Sequence, residues 1–83
     1  MTQLPLHEQV ALRCDLPLHG IRSGDVVTLL DYVPHPDGKR EGCIVEVFNA
    51  VGDSIAVVTV EAGDIESLKP NEVLTVRRLA QAS

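Results

Sequence analysis

An alternation of apolar and polar positions marks the first predicted strand, over residues 9–15. Val10, Leu12 and Cys14 are apolar there, and the positions that alternate with them are polar except for Ala11: Gln9, Arg13 and Asp15. A period of two residues is typical of a strand that buries one face. Residues 26–33 follow as an almost continuous, β-branched-rich apolar run, which is too short and too poorly periodic for a helix and predicts the second strand.

Two later apolar runs, residues 41–49 and 54–61, are separated by a short turn that contains a Gly-Asp pair. This arrangement predicts a β-hairpin. Placing Asn49 opposite Ser54 sets its register and gives the hairpin two faces. One face pairs Val47 with Ala56, Val45 with Val58 and Cys43 with Val60, and the other pairs Phe48 with Ile55 and Ile44 with Thr59.

The segments between and after these strands carry turn signals. Residues 16–25 contain a proline and two glycines and predict a long, packed first loop. Residues 34–40, with two prolines and an Asp-Gly pair, predict a protruding hairpin loop. Residues 64–70 predict one short 3₁₀ turn that ends at a proline, and residues 72–79 predict a final strand.

Five short strands, a long first loop and one 3₁₀ turn before the last strand predict an all-β fold, a small SH3-like barrel. A five-stranded oligonucleotide-binding barrel is the alternative, which fits less well because no helix of useful length lies between the middle strands. The chain has 83 residues, enough for one core, so residues 1–83 are predicted to form a single domain. Its last residues, 80–83, are predicted to fray.

Composition narrows the function classes. Aromatic residues make up 2% of the chain, Tyr32 and Phe48 alone, so the predicted core is aliphatic. Twelve acidic against seven basic residues give a formal net charge of −5, which disfavours binding to nucleic acids and to anionic lipid. Neither a signal-peptide pattern nor a run of about 20 apolar residues occurs. We therefore expect a cytoplasmic protein without membrane contact, with reduced cysteines.

Metal-binding and catalytic patterns are weak. Zinc sites use closely spaced ligands such as Cys-x₂-Cys, and the possible ligands of this chain are scattered. Nor do the serines, histidines and carboxylates suggest a nucleophile with its base. We expect no metal, no cofactor and no enzymatic activity. The possible zinc ligands considered are His7, Cys14, His19, His35 and Cys43.

The second face of the predicted hairpin is apolar, with Ile44, Phe48, Ile55 and Val57 on it. A face of this kind has to be covered. Curvature of the barrel can cover it, or the termini can pack across it. Otherwise it is a surface for a partner or for a second copy of the chain. The terminal residues available for covering it are Leu4, Leu6, Leu74 and Val76.

A Leu-Pro-x-His-Gly-x-x-x-Gly-Asp-Val string occupies residues 16–26, and a second block comprises residues 56–60 and 63–68. These residues resemble a bacterial family of short proteins catalogued as domain of unknown function 4926, over roughly residues 9–69. A longer loop at residues 34–40 and a tail from Glu72 depart from that family. The resemblance implies a small SH3-like or KOW-like barrel with no established activity, and such barrels typically lend a surface to another protein.

The resulting functional hypothesis is a protein-interaction module that binds another protein, as a regulatory subunit, an antitoxin or an immunity-type protein. Its predicted contact residues lie in the long loop and on the apolar hairpin face: His19, Ile21, Arg22, Ile44, Phe48, Ile55 and Val57. A turn histidine such as His19 can also be purely structural. The alternatives are a self-assembling barrel that adds strands at its edge and a KOW-like nucleic-acid binder, which the net charge disfavours. The basic footprint for nucleic acid is Arg13, Lys39, Arg40, Arg77 and Arg78.

Overall fold

The computed structural model describes residues 4–34 and 41–79, which form one open antiparallel sheet of five strands. The order across the sheet is β4-β3-β2-β1-β5. The predicted all-β class is confirmed. Of the predicted loop at residues 34–40, Pro34 belongs to the second strand. Residues 35–40 and the predicted tail at 80–83 lie outside the described residues. The strands are β1 Gln9–Leu12, β2 Val26–Pro34, β3 Glu41–Phe48, β4 Ser54–Glu61 and β5 Ile65–Ser67.

The first strand ends three residues earlier than predicted. The backbone after β1 turns toward other segments, because the N–H of Leu12 donates to the carbonyl of Asp25 at 2.9 Å and the N–H of Arg13 donates to that of Asp64 at 2.7 Å. A 3₁₀ turn at Pro17–His19 lies within the long first loop, and a second at Ala62–Asp64 precedes β5. The predicted 3₁₀ turn therefore lies earlier than residues 64–70.

The predicted final strand at residues 72–79 is wrong. The fifth strand is Ile65–Ser67, which pairs antiparallel with β1 and places Leu12 opposite Ile65. Ile65 is buried in the core beside this pairing. β1 therefore has a hydrogen-bonded strand on each side, β2 on one and β5 on the other. Residues 72–79 have no regular structure.

The predicted hairpin register is confirmed at four pairs and wrong at the two pairs nearest the turn, Phe48 with Ile55 and Asn49 with Ser54. Phe48 lies opposite Ser54, not Ile55, because the ladder shifts between Val47 and Phe48. The turn explains the shift: the side-chain oxygen of Asn49 accepts the N–H groups of Val51 at 3.1 Å and Asp53 at 2.9 Å. The confirmed pairs are Val47 with Ala56, Val45 with Val58, Cys43 with Val60 and Ile44 with Thr59.

The core lies on one face of this sheet and consists of aliphatic side chains and one cysteine. The alternation of β3 places Cys43, Val45 and Val47 in it, all buried. Leu29 from β2 is buried beside them. The remaining members come from β1, the first loop, β2, β4 and β5: Val10, Leu12, Ile21, Val27, Val60 and Ile65. None of the described residues belongs to a helix long and apolar enough to cross a membrane.

Candidate interaction surface

The outer side of the β3–β4 hairpin carries the four apolar residues Ile44, Phe48, Ile55 and Val57, called the hairpin face below. Phe48 is 40% exposed, Ile55 41% and Val57 57%, while Ile44 is half-buried. Most of their strand neighbours belong to the core or pack against it: Cys43, Val45, Val47, Ala56 and Val58. The hairpin is therefore apolar on both sides, and only one side is covered.

Acidic side chains surround the hairpin face. Glu46 lies on it, opposite Val57, and its carboxylate accepts a 2.6 Å hydrogen bond from the hydroxyl of Ser54. Asp53 is in the turn at one end, and Glu61 ends β4 at the other. A net-negative chain thus has three of its acidic residues around its exposed apolar surface.

The C-terminal segment, residues 73–79, borders a groove of about 710 Å³ whose other wall includes Phe48 and Ile55. Arg77 attaches this segment to the first loop. Its Nε donates to Oδ1 of Asp25 at 3.0 Å, its Nη2 donates to the other carboxylate oxygen, and Nη2 also donates to the carbonyl of Gly20 at 3.1 Å. The guanidinium thus joins the segment to both a side chain and the backbone of that loop.

Asp25 has a second role in this loop, since its carboxylate accepts the backbone N–H of Arg22 at 2.8 Å. Burial by itself raises the pKa of Asp25, but the hydrogen bonds from Arg77 and from the Arg22 backbone outweigh it, and the pKa is lowered. The carboxylate is therefore ionised at neutral pH, in the form that binds Arg77.

The termini do not cover the hairpin face as expected. Val76 is 89% exposed, and Leu74 is also exposed, so the C-terminal segment passes the face without burying its apolar side chains on it. At the other end of the chain, Leu4 packs against the core and Leu6 is exposed. Within residues 4–34 and 41–79, the hairpin face keeps a solvent-exposed apolar surface.

The predicted loop contacts separate into a surface part and a core part. His19 is exposed at the end of the first 3₁₀ turn, next to Gly20, whose φ of 69° lets the chain reverse. Arg22 is exposed as well. Ile21 is 3% exposed and belongs to the core, so its side chain is not on the surface.

One exposed residue of this loop was missed by sequence reasoning. Leu18 is 97% exposed, and together with His19 it lines a cleft of about 330 Å³ whose other wall is Val58 and Thr59 of β4. The only signal in the sequence was an apolar residue inside a Pro-x-His-Gly turn, a context that usually provides an anchor. The structure thus brings His19 and Leu18 close to β4, though not onto the hairpin face.

Neither cysteine resembles a reactive or metal-binding thiol. Burial, followed by the charges of Asp64 and Glu41, raises the pKa of Cys43 to about 11. Burial and Asp64 also raise the pKa of the half-buried Cys14. Within the described part of the chain, no three metal-ligating side chains cluster together.

The basic residues considered for nucleic acid include two arginines that lie beside acidic side chains. Arg13 lies 3.9 Å from the carboxylate of Glu66, and Arg77 is engaged by Asp25. Lys39 and Arg40 lie outside the described residues. Two of the described arginines are thus already opposed by carboxylates.

Comparison with known proteins found no matching family model, no matching curated protein and no matching solved structure. The resemblance to domain of unknown function 4926 stays a prediction from the residues that carry it. What the surface can do is therefore argued from its own geometry and charge.

Proposed function

We propose that this chain is a non-enzymatic protein-interaction module that binds another protein through the hairpin face. The observation that carries the proposal is the exposure of Phe48, Ile55 and Val57 together on one side of two strands whose opposite side is core. Contiguous exposed apolar surface with a polar rim is typical of interaction sites. Phe48 is the aromatic residue there, and aromatic side chains dominate the energetics of protein interfaces.

The partner's chemistry follows from the charges around this face. Glu46, Asp53 and a net charge of −5 favour a basic partner, both in steering and in the final contact. The chain's own C-terminal segment, which borders the same groove, has this chemistry, because Val73, Leu74 and Val76 are followed by two arginines. A regulatory subunit, an antitoxin or an immunity-type protein acting in the cytoplasm would present such a surface to its target.

An SH3-like barrel and membership of domain of unknown function 4926 are part of the same proposal. Three observations support the barrel: consecutive pairing of β2, β3 and β4, return of β5 to pair with β1, and a 3₁₀ turn just before β5. The long first loop between β1 and β2 supports it as well. Barrels of this kind act through their surfaces, which agrees with an interaction role.

The test is a pull-down with the tagged protein, in which bound proteins are identified by mass spectrometry. Phe48→Glu places a charge in the hairpin face, and Val51→Glu places the same charge at the exposed turn beside it. We expect a specific partner to be captured by the wild-type chain and by Val51→Glu, and to be lost with Phe48→Glu.

The control is thermal unfolding of both variants, since an unfolded Phe48→Glu chain would lose partners trivially. Capture of the same partner by all three folded proteins would refute the hairpin face as the site. Absence of any protein bound by the wild-type chain would count against the whole proposal. A low-salt mobility-shift assay tests the nucleic-acid alternative, for which we expect no binding.

A further inference from the structure

The open sheet has two edge strands, β4 and β5, and only one of them has the usual features that prevent pairing. β5 is three residues long, and Arg13 and Lys69 approach Glu66 within it at 3.9 and 3.7 Å. Short length and charge are the common ways in which an edge is protected from further pairing. β5 is thus a poor template for another strand.

β4 has the opposite properties. It spans the eight residues Ser54–Glu61, and no proline, glycine or charged residue lies between its two ends. Within the described residues it pairs with β3 on one side and with no strand on the other. The only irregularity of its ladder is at the Ser54 end, so the rest of the strand presents a regular row of backbone donors and acceptors.

The first 3₁₀ turn lies beside the edge of β4 without covering it. A cleft of about 330 Å³ separates Pro17–His19 from Val58 and Thr59. Leu18, at 97% exposure, is the most exposed of the large apolar residues at this edge. An additional strand beside β4 would give Leu18 the apolar neighbour that it lacks.

We infer that β4 pairs antiparallel with β4 of a second copy of this chain, around a two-fold axis at Val58. A two-fold axis perpendicular to the sheet keeps outer side chains opposite outer ones, so a residue can face only residues of the same side. Centring the axis at Val58 places Val57 opposite Thr59 of the other copy. The same axis places Ala56 opposite Val60 of that copy.

Charge selects this register over the one centred at Val57. Centring the axis at Val57 would place Glu61 of each copy opposite Asp53 of the other. The two-fold axis would thus create two pairs of like charges, and like charges directly opposite each other are destabilising. Centring it at Val58 instead places Glu61 opposite Ile55. It also brings the two Pro17–His19 turns, which lie beside Val58, to the same axis.

The inference does not depend on the proposed partner, because it concerns the backbone edge of β4, although Ile55 and Val57 of that strand also belong to the hairpin face. It has a consequence for that face, however. In the pair, both hairpin faces lie on the same side of one continuous sheet, so a partner would meet two adjacent copies of the surface.

The first experiment measures the mass of the untagged protein in solution by light scattering over a range of concentrations. One chain has a mass of 9.0 kDa, and we expect twice that value at high concentration. Thr59→Lys adds a charge to the exposed edge and should raise the dissociation constant at least about tenfold. Ser67→Lys, the matched change on β5, should leave it unchanged.

The register is tested by cysteine cross-linking in a Cys14→Ser background. Val58→Cys should form an intermolecular disulfide readily, because the two positions 58 lie directly opposite each other, whereas Ser54→Cys should not. Circular dichroism confirms that each variant is folded. A wild-type chain that is monomeric at every concentration refutes the inference, and so does a dimer that Ser67→Lys disrupts and Thr59→Lys does not.

These outcomes are separable from those of the partner experiment. Thr59→Lys that is monomeric yet still captures the partner would leave the proposed function intact and support the β4 pairing. If Phe48→Glu loses the partner but remains dimeric, the partner binds through the hairpin face and the dimer forms without it.

Discussion

Both faces of the β3–β4 hairpin carry a row of apolar residues, and the two rows differ in what covers them. Cys43, Val45 and Val47 on the inner face are buried, while Phe48 and Val57 on the outer face are exposed. Both sets are apolar and come from the same two strands. Alternation along a strand therefore says which residues share a face, and only the rest of the fold decides which face is core.

Thiol labelling gives the largest expected contrast between the faces. Burial, together with Asp64 and Glu41, raises the pKa of Cys43 to about 11, so little of the reactive thiolate exists near pH 8. In a Cys14→Ser background, a Val57→Cys thiol on the outer face should be alkylated more than about a hundredfold faster than Cys43. Mass spectrometry over time measures both rates.

Denaturant is the control for that labelling experiment. In the unfolded chain both thiols should react at similar rates, because neither is then buried. Fast labelling of Cys43 in the folded protein would mean that the inner face opens readily, and the contrast between the faces would fail.

A matched pair of valine substitutions tests the same contrast energetically. Val45→Ala removes methyl groups from a fully buried site and should lower the free energy of unfolding by about 2 to 3 kcal/mol. Val57→Ala, on the adjacent strand and the opposite face, should lower it by less than about 1 kcal/mol. Urea unfolding of both variants measures the difference. Equal losses would show that the hairpin face is covered in solution.

The attachment of the C-terminal segment beside the hairpin face gives a smaller expected effect than Val45→Ala. Asp25→Asn weakens the hydrogen bonds from Arg77 and from the Arg22 backbone, and should lower the free energy of unfolding by about 1 to 2 kcal/mol. Chemical shifts of residues 73–79 should move toward unfolded values in the variant. Unchanged shifts there would mean that Arg77 does not hold the segment.

The same substitution predicts a pH dependence. The pKa of Asp25 is lowered in the folded chain, so its contribution to stability is fully present above the unfolded value of about 3.9. That contribution is lost as the pH falls through the folded pKa. Wild-type and Asp25→Asn stabilities should therefore differ at pH 7 and converge in acid below about pH 4, as followed by thermal unfolding.

The sequence predicted the middle of the sheet well, because local signals determine it. The strands at residues 26–33, 41–49 and 54–61 agree with β2, β3 and β4 to within a residue. Turn residues and short apolar, β-branched-rich runs are properties of neighbouring positions, and they also yielded four hairpin pairs. The Phe48 pairing failed because the side chain of Asn49 reshapes the turn, which a count of residues does not reveal.

The position of the last strand and the exposure of the candidate surface depend on contacts between distant parts of the chain, which local sequence patterns do not show. Residues 72–76 have a stronger β-propensity than Ile65–Ser67. Ile65–Ser67 nevertheless pair with β1, because the turn at Ala62–Asp64 places them beside the edge of β1 that β2 leaves free. Ile21 and Leu18 lie three residues apart in one loop, one buried and one exposed. Nothing local distinguishes them, since the difference lies in which of them reaches the core.

Tyr32 is the only tyrosine, and the chain has no tryptophan. Its hydroxyl donates to the carbonyl of Leu4 at 3.1 Å and accepts the N–H of the same residue at 2.8 Å. Excitation in the long-wavelength band of tyrosine, where Phe48 does not absorb, therefore gives emission from a single ring, located where the segment before β1 meets β2. Docking and release of that segment can be followed optically in the native protein, without any attached label.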